Sequence, residues 1–304
     1  MTAAPLIAVD GPYLLYRSYF AMPESITGTG GRPVGALLGG VNVLLRAAAD
    51  LAPRAIVVCL GAEAAAYRVA LYDGYHADRP PTPDALQWQF DRAPDLFAAF
   101  GWLSLDAAAA PGGALEADDL LGALALAEQQ AGGRALLMTG DRDMFQCATA
   151  STSVLLLKPG KGGFEEVTPA GVTERYGVTP DQVPDFIALR GDPSDGIPGA
   201  PGIGAKTAAE ILARHGSLEG ALVAVGTPAM PRVDHGERPR IAGILREHAD
   251  ALRSYREIAT LQPIPVERPP DVTVDLRAGA DAAAAFGMGA LARRLRAADD
   301  IAAL

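Results

Sequence analysis

Eight carboxylates fall in four short groups whose residue types and spacing could hold a metal ion. Asp10 follows the apolar run "LIAV"; Glu116, Asp118 and Asp119 lie in "LEADD"; Asp141 and Asp143 lie in "TGDRD"; Asp192 and Asp195 lie in "GDPSD". Taken singly, each group has an ordinary role. An aspartate after a strand is a common turn residue, and acids at a helix start complement the helix dipole. Taken together they make an expensive arrangement. Carboxylates converging on one crevice repel one another and lose hydration, so they need cations. Oxygen ligands with no His or Cys inside the four motifs point to Mg²⁺ or Mn²⁺ rather than zinc. Two such ions about 4 Å apart suit in-line hydrolysis of a phosphodiester.

A second constellation, "GIGAKT" (Gly202–Thr207), sits just beyond the last acidic group. It is not a nucleotide-binding P-loop, because that pattern requires the second glycine directly before the lysine, and here Ala205 intervenes. Two readings remain: a plain helix–helix turn, or a helix–hairpin–helix loop that binds DNA. In the second, Gly202 and Gly204 let the backbone approach a phosphate. Amides at the following helix N-terminus hold it, and Lys206 and Thr207 reinforce the grip. Such contacts position a duplex without reading its sequence.

These groups need a scaffold, and the hydrophobic pattern supplies one. Short apolar runs at Pro5–Asp10, Ala55–Leu60, around Trp102, at Arg134–Thr139 and at Ser153–Leu157 read as buried strands. Helical stretches separate them: Tyr13–Met22, Gly35–Leu51, and one from "LEADD" to Gly132-Gly133. Strands alternating with helices predict an α/β fold with a mainly parallel sheet and helices on both faces. Parallel sheets present ligands beyond the carboxyl ends of their strands, which is where Asp10, Asp141 and Asp143 fall. After about residue 165 the strands are expected to stop. Short helices follow at about Pro169–Tyr176, Asp181–Leu189, Ala205–His215 and Pro239–Leu252. Gln262–Asp271 reads as an extended linker, and Ala278–Leu304 as one closing helix. The implied division is a nuclease-like sheet domain over 1–180, a helical subdomain over 181–262, and a return segment with a C-terminal helix over 263–304.

The 304 residues are 49% hydrophobic, enough for a sizeable core, and carry a formal charge of −10. That balance excludes a protein that binds nucleic acid through overall basicity. The eight candidate ligands alone account for most of it. Two cysteines without a CxxC pattern give no disulfide framework. The N-terminus lacks a basic segment ahead of its apolar run, and no run of about 18 apolar residues occurs. A soluble, cytoplasmic protein is the expectation.

The motifs "AVDG…YR", "LEADD", "TGDRD", "GDPSDGIPG" and "GIGAKTA", in this order, resemble the bacterial flap endonuclease/5′-3′ exonuclease family, which includes the nuclease domain of DNA polymerase I. The resemblance spans roughly residues 5–265. It implies a PIN-like α/β fold with a helix-three-turn-helix DNA-binding element, and metal-dependent cleavage of DNA bearing a 5′ flap, 5′ overhang or nick. RNA–DNA hybrid is an expected further substrate, and no membrane partner and a monomeric chain are also expected. By the same resemblance, Asp10, Glu116 and Asp118 are ligands of one divalent ion. Asp119, Asp141, Asp143, Asp192 and Asp195 are ligands of another or of a further ion. Tyr16 and Arg17 lie near the DNA, and a K⁺ ion is held by loop carbonyls near Pro201–Ile203. In relatives, an arginine-rich helical arch ending in Gly-Tyr-Lys guides the flap, which makes Arg68, His76 and Arg79 the candidates for acting on substrate here.

This chain departs from that pattern in two places. Gly61 stands where the second strand of relatives ends in an acid, and His76 stands where the arch motif has lysine. Residues 61–100 carry three arginines against six acids, a weak electrostatic funnel for a single strand. A branched-DNA-binding protein with weakened catalysis, or a metal-dependent phosphohydrolase acting on RNA, would use many of the same residues.

Overall fold

The computed structural model describes residues 4–109, 113–158, 163–226, 238–298 and 300–301. Its centre is a six-stranded sheet ordered β3-β2-β1-β4-β5-β6. The strands are β1 (Leu6–Asp10), β2 (Ala55–Leu60), β3 (Leu103–Asp106), β4 (Ala135–Met138), β5 (Thr152–Leu157) and β6 (Phe164–Val167). The first five pair in parallel, and β6 runs antiparallel to β5. The edge strand β6 departs from the expectation that strands end near residue 165. Its sequence, Phe-Glu-Glu-Val, shows little apolar alternation because only Val167 is buried. Charged residues are tolerated there because an edge has solvent on one side.

Strand alternation builds two cores. Leu6, Ala8, Val57, Cys59 and Leu137 face one cluster, while Ile7, Val9, Val58, Leu136 and Met138 face the other. The second cluster is covered by α1 (Gly11–Ala21), α2 (Gly35–Leu51), α4 (Asp84–Phe90), α5 (Ala93–Ala99) and the C-terminal helices. The first is covered by α6 (Ala117–Gln130), α8 (Val183–Arg190), α9 (Ala205–His215), α10 (Leu218–Val225) and α12 (Ala249–Ala259), with α3 (Ala66–Leu71) and α7 (Pro169–Tyr176) at its margin. Helices on both faces of a parallel sheet are what continuous apolar strands require.

Two local expectations are corrected, and the 61–100 segment is placed. Pro239–Leu252 is not one helix, since α11 (Pro239–Glu247) ends at His248 and α12 begins there, which lets both Leu245 and Leu252 be buried. The C-terminal segment is also two helices, α13 (Leu276–Ala285) and α14 (Gly289–Ala297), and residues 302–304 of the expected helix lie outside the described residues. The break falls at Gly287, whose φ is +82° and where a Cβ would lie 2.4 Å from the Thr29 amide nitrogen. Finally, residues 61–100 form no free-standing arch. Helices α4 and α5 lie on the body, with Leu86, Leu96 and Phe97 buried in the second core.

The chain runs β1 to β2 to β3 toward one edge, then returns to place β4 on the other side of β1. That reversal between β1 and β4 opens a crevice at their carboxyl ends. The acidic groups meet there.

Candidate active site

Asp10 ends β1 and caps α1, with Oδ1 accepting a hydrogen bond from the Tyr13 amide at 2.9 Å. Its Oδ2 accepts from the Thr139 hydroxyl at 2.7 Å, and Thr139 Oγ1 in turn accepts from the Asp141 amide at 3.0 Å. Thr139 therefore ties the end of β1 to the turn after β4. Asp118 comes from the first turn of α6, and Asp141 and Asp143 from that turn after β4. Oxygens of Asp118, Asp141 and Asp143 all lie within 4.8 Å of one another. The buried Oδ1 atoms of Asp118 and Asp143 have no hydrogen-bond partner. Buried polar atoms are rarely left so.

The electrostatics agree with the geometry. Burial, then the charges of Asp10 and Asp141, push the Asp118 carboxyl well above the usual carboxylate range. Burial, then Asp141 and Asp118, do the same to Asp143. Burial and then Asp195 bring Asp141 up to about 6. For Asp10, burial raises the pKa against the opposing hydrogen bonds from Tyr13 and Thr139. A site made costly by its own charge, with free oxygens directed at one point, fits a hard divalent cation.

The other four acids are placed differently. Asp119 is fully buried, and the Arg68 guanidinium grips it with two bonds, Nη2 to Oδ1 at 2.9 Å and Nη1 to Oδ2 at 3.1 Å. The amides of Gln262 and Glu116 also donate to it, at 2.8 and 3.1 Å. Glu116 accepts from the Ala65 amide at 2.6 Å and the Tyr75 hydroxyl at 2.9 Å, with Arg68 Nη1 3.1 Å away. Asp195 Oδ1 meets His76 Nε2 at 3.1 Å and Arg79 Nη2 at 3.2 Å. Asp192 takes the Ser194 amide at 2.9 Å and the Ser194 hydroxyl, and Arg190 Nη2 lies 3.5 Å from it.

Arg68 is thus corrected from an arch residue reaching substrate to a buried counter-ion. It is 3% exposed, and its Nε donates to the Ile258 carbonyl at 3.0 Å. His76 and Arg79 do reach the crevice, through Asp195. His76 stacks on Tyr75 at 3.9 Å, and its Nδ1 is 2.9 Å from the Glu63 carbonyl oxygen. Tyr75, not singled out from the sequence, links the 61–100 segment to Glu116; the "GY" ahead of His76 was the available signal. Gly61 has a steric role: a Cβ there would lie 2.6 Å from the Ala117 nitrogen and 2.9 Å from the Glu116 Cα. The N-terminus of α6 occupies the space where the acid of relatives would stand.

The acidic turn and the glycine loop are built as one unit. Asp192 and Ile197 exchange backbone hydrogen bonds at 2.8 Å in both directions, closing the turn. Gly196, with φ of +75°, packs so closely on Gly74 that a Cβ would lie 2.5 Å from its carbonyl oxygen. The Ala200 amide donates to the Leu189 carbonyl, and Ile203 buries itself at the loop's base. Gly202 (φ +71°), Gly204 and Lys206 stay exposed, Thr207 is half-buried, and Gly204 caps α9. Arg240, which the sequence did not single out, ends 2.8 Å from where a Gly202 Cβ would stand. A second cation therefore flanks the loop. Tyr16 is half-buried, with its hydroxyl bonded to Thr82, and Arg17 donates to the Lys158 carbonyl at 3.1 Å.

A crevice of carboxylates at the switch point of a parallel sheet, beside a helical subdomain with an exposed glycine loop, defines a metal-site α/β fold of the nuclease type. Residues 5–177 match the 5′-3′ exonuclease N-terminal resolvase-like domain, and residues 178–275 match the 5′-3′ exonuclease C-terminal SAM fold. The chain belongs to the 5′-3′ exonuclease family. It is 35% identical to a 5′-3′ exonuclease of Mycobacterium tuberculosis, over 98% of both chains. It is also 35% identical to DNA polymerase I of the same organism, covering 88% of this chain and spanning 28% of the polymerase. Among solved structures, the bacteriophage T5 D15 protein co-crystallised with metal ions aligns with a TM-score of 0.65 at 18% identity, covering 96% of each chain. The catalytic core of Rad2 in complex with DNA aligns at 0.59 and 16%, covering 93% of this chain and 87% of that one. Both share the fold. No helix among the described residues is long and apolar enough to cross a membrane.

Proposed function

We propose that this chain is a divalent-metal-dependent, structure-specific 5′ nuclease that hydrolyses DNA phosphodiester bonds at 5′ flaps and 5′ ends, in replication or repair. The observation that carries the reading is the Asp118–Asp141–Asp143 cluster, with its unpartnered buried oxygens at the sheet's switch point. The likeness to 5′-3′ exonucleases supports it.

Asp118, Asp141 and Asp143, with Asp10 beside them, would hold Mg²⁺ or Mn²⁺. A bound divalent ion there would neutralise the carboxylates and stabilise charge developing on the phosphoryl oxygens. Thr139 and the Tyr13 amide fix the Asp10 carboxylate, so its oxygens are aimed before substrate arrives. The exposed amides at the start of α9, with Lys206, Thr207 and Arg240, would grip duplex phosphate some distance away. Carbonyls near Pro201–Ile203 would take K⁺. The rigid Asp192–Ile203 unit fixes the distance between grip and cut. We further propose a monomer of three parts, 1–180, 181–262 and 263–304.

The test is a labelled 5′-flap duplex incubated with Mg²⁺, Mn²⁺ or EDTA, with an RNA–DNA hybrid arm and Asp141→Asn as control. Cleavage in at least one metal, lost in EDTA and in the variant, is expected. Intact binding with no cleavage in either metal overturns the reading in favour of a branched-DNA-binding protein. Cleavage confined to the RNA-containing arm favours an RNA phosphohydrolase.

A further inference from the structure

The eight carboxylates divide by their partners. Among the described residues, Asp10, Asp118, Asp141 and Asp143 form no ion pair, while each of the other four has a protein cation within 3.5 Å. Arg68 serves both Glu116 and Asp119, His76 and Arg79 serve Asp195, and Arg190 serves Asp192. Three of these four basic residues are anchored. Arg68 is anchored from behind by the Ile258 carbonyl, His76 by the Glu63 carbonyl and the Tyr75 ring, and Arg190 lies over the rings of Phe186 and Tyr176.

We infer that this chain binds one divalent ion tightly, at Asp118, Asp141 and Asp143 beside Asp10, and that Arg68, Arg79 and Arg190, with His76 hydrogen-bonded at Asp195, stand in for a second ion at the remaining four carboxylates.

Three features make the substitution coherent. Gly61 offers no ligand beside Glu116, and the N-terminus of α6 leaves no room for a side chain there. Glu116 and Asp119 then have their oxygens committed to Arg68, Tyr75 and backbone amides. At Asp195, the His76 imidazole is fixed by the Glu63 carbonyl on one side and the carboxylate on the other. A ring held at both nitrogens is a shorter, more rigid partner than a lysine. Displacing a fixed guanidinium from a desolvated carboxylate leaves charge uncompensated, so a free ion must overcome that cost before binding.

This inference rests on the metal-dependent reading above, and its test separates the two. Mn²⁺ binding is measured by the loss of the free-ion electron paramagnetic resonance signal, without DNA, with circular dichroism confirming the fold of each variant. One tight ion per chain is expected for the wild type. Asp118→Asn should lose it, and Asp195→Asn should retain it. The double variant His76→Ala/Arg79→Ala should bind a second ion, because Asp195 is then released. Two ions of similar affinity in the wild type, or a double variant that stays at one, overturns the inference and leaves the nuclease reading standing. No tight Mn²⁺ in the wild type overturns both.

Discussion

Adding a side chain at Gly61 gives a sharp test of how the site is built. The family resemblance implies an acid at the end of the second strand, so Gly61→Asp looks like a repair. The structure predicts damage. A Cβ at this position lies 2.6 Å from the Ala117 nitrogen, 2.7 Å from the Glu116 carbonyl carbon and 2.9 Å from its Cα, all backbone atoms that cannot rotate aside. Restoring an ordinary contact of about 3.4 Å requires the N-terminus of α6 to retreat by about 0.8 Å. That end of the helix carries Glu116, Asp118 and Asp119, and Arg68 and Gln262 hold it in place. Overpacking of this kind costs about 1–3 kcal/mol, or about 2–6 °C in Tm for a domain near this size. A catalytic group misplaced by about 1 Å can cost on the order of 100-fold in rate. Gly61→Ala and Gly61→Asp should therefore fall together, in Tm by calorimetry and in single-turnover flap cleavage. If Gly61→Asp melts like the wild type and cleaves as fast or faster, the close contact is not what excludes the acid, and the steric argument fails.

Three further outcomes follow from other contacts. Removing Arg68 strands a fully buried Asp119, so Arg68→Ala should lose about 3–5 kcal/mol in urea unfolding, and Arg68→Lys should not rescue it because one ammonium cannot reproduce the two-pronged grip; a wild-type midpoint in either variant counts against the buried pair. Lys206→Ala and Arg240→Ala should each weaken binding to duplexes of any sequence, and each should reduce the salt-dependence slope by about 1, measured by fluorescence anisotropy against salt. Glu128 is buried, which opposes its charge, yet hydrogen bonds from Arg54 and Arg268 hold its carboxyl below the usual glutamate range. A depressed folded-state pKa contributes stability that is present above the unfolded value of about 4.3 and is lost as pH falls through the folded value. Glu128→Gln should accordingly destabilise the protein at pH 7 more than at pH 3, and equal effects at both would refute this assignment.

Much of the site was legible before folding because its signals are local. Asp10, Asp141 and Asp143 follow apolar strands, and such strands in a parallel sheet direct their carboxyl ends to one crevice. The glycine loop before α9 was legible because φ near +70° at Gly202 restricts residue choice at that position. The weaker readings had two causes, weak local patterns and contacts between distant segments. Edge strand β6 has a sequence too short and charged to announce itself. The C-terminal break depends on Gly287 packing against Thr29, some 250 residues away in the chain. Arg240 carries no pattern of its own and matters through what it touches.

The sequence by itself determined the parallel strands, the order of the acidic motifs and a glycine-rich loop ahead of α9, since hydrophobic period and turn chemistry are written residue by residue. Only the tertiary structure decided which carboxylates are left without an ion pair among the described residues and which meet Arg68, His76, Arg79 or Arg190. Eight acids look alike in a sequence. Their roles separate when folding removes water and makes the nearest cation, or its absence, the largest influence on each.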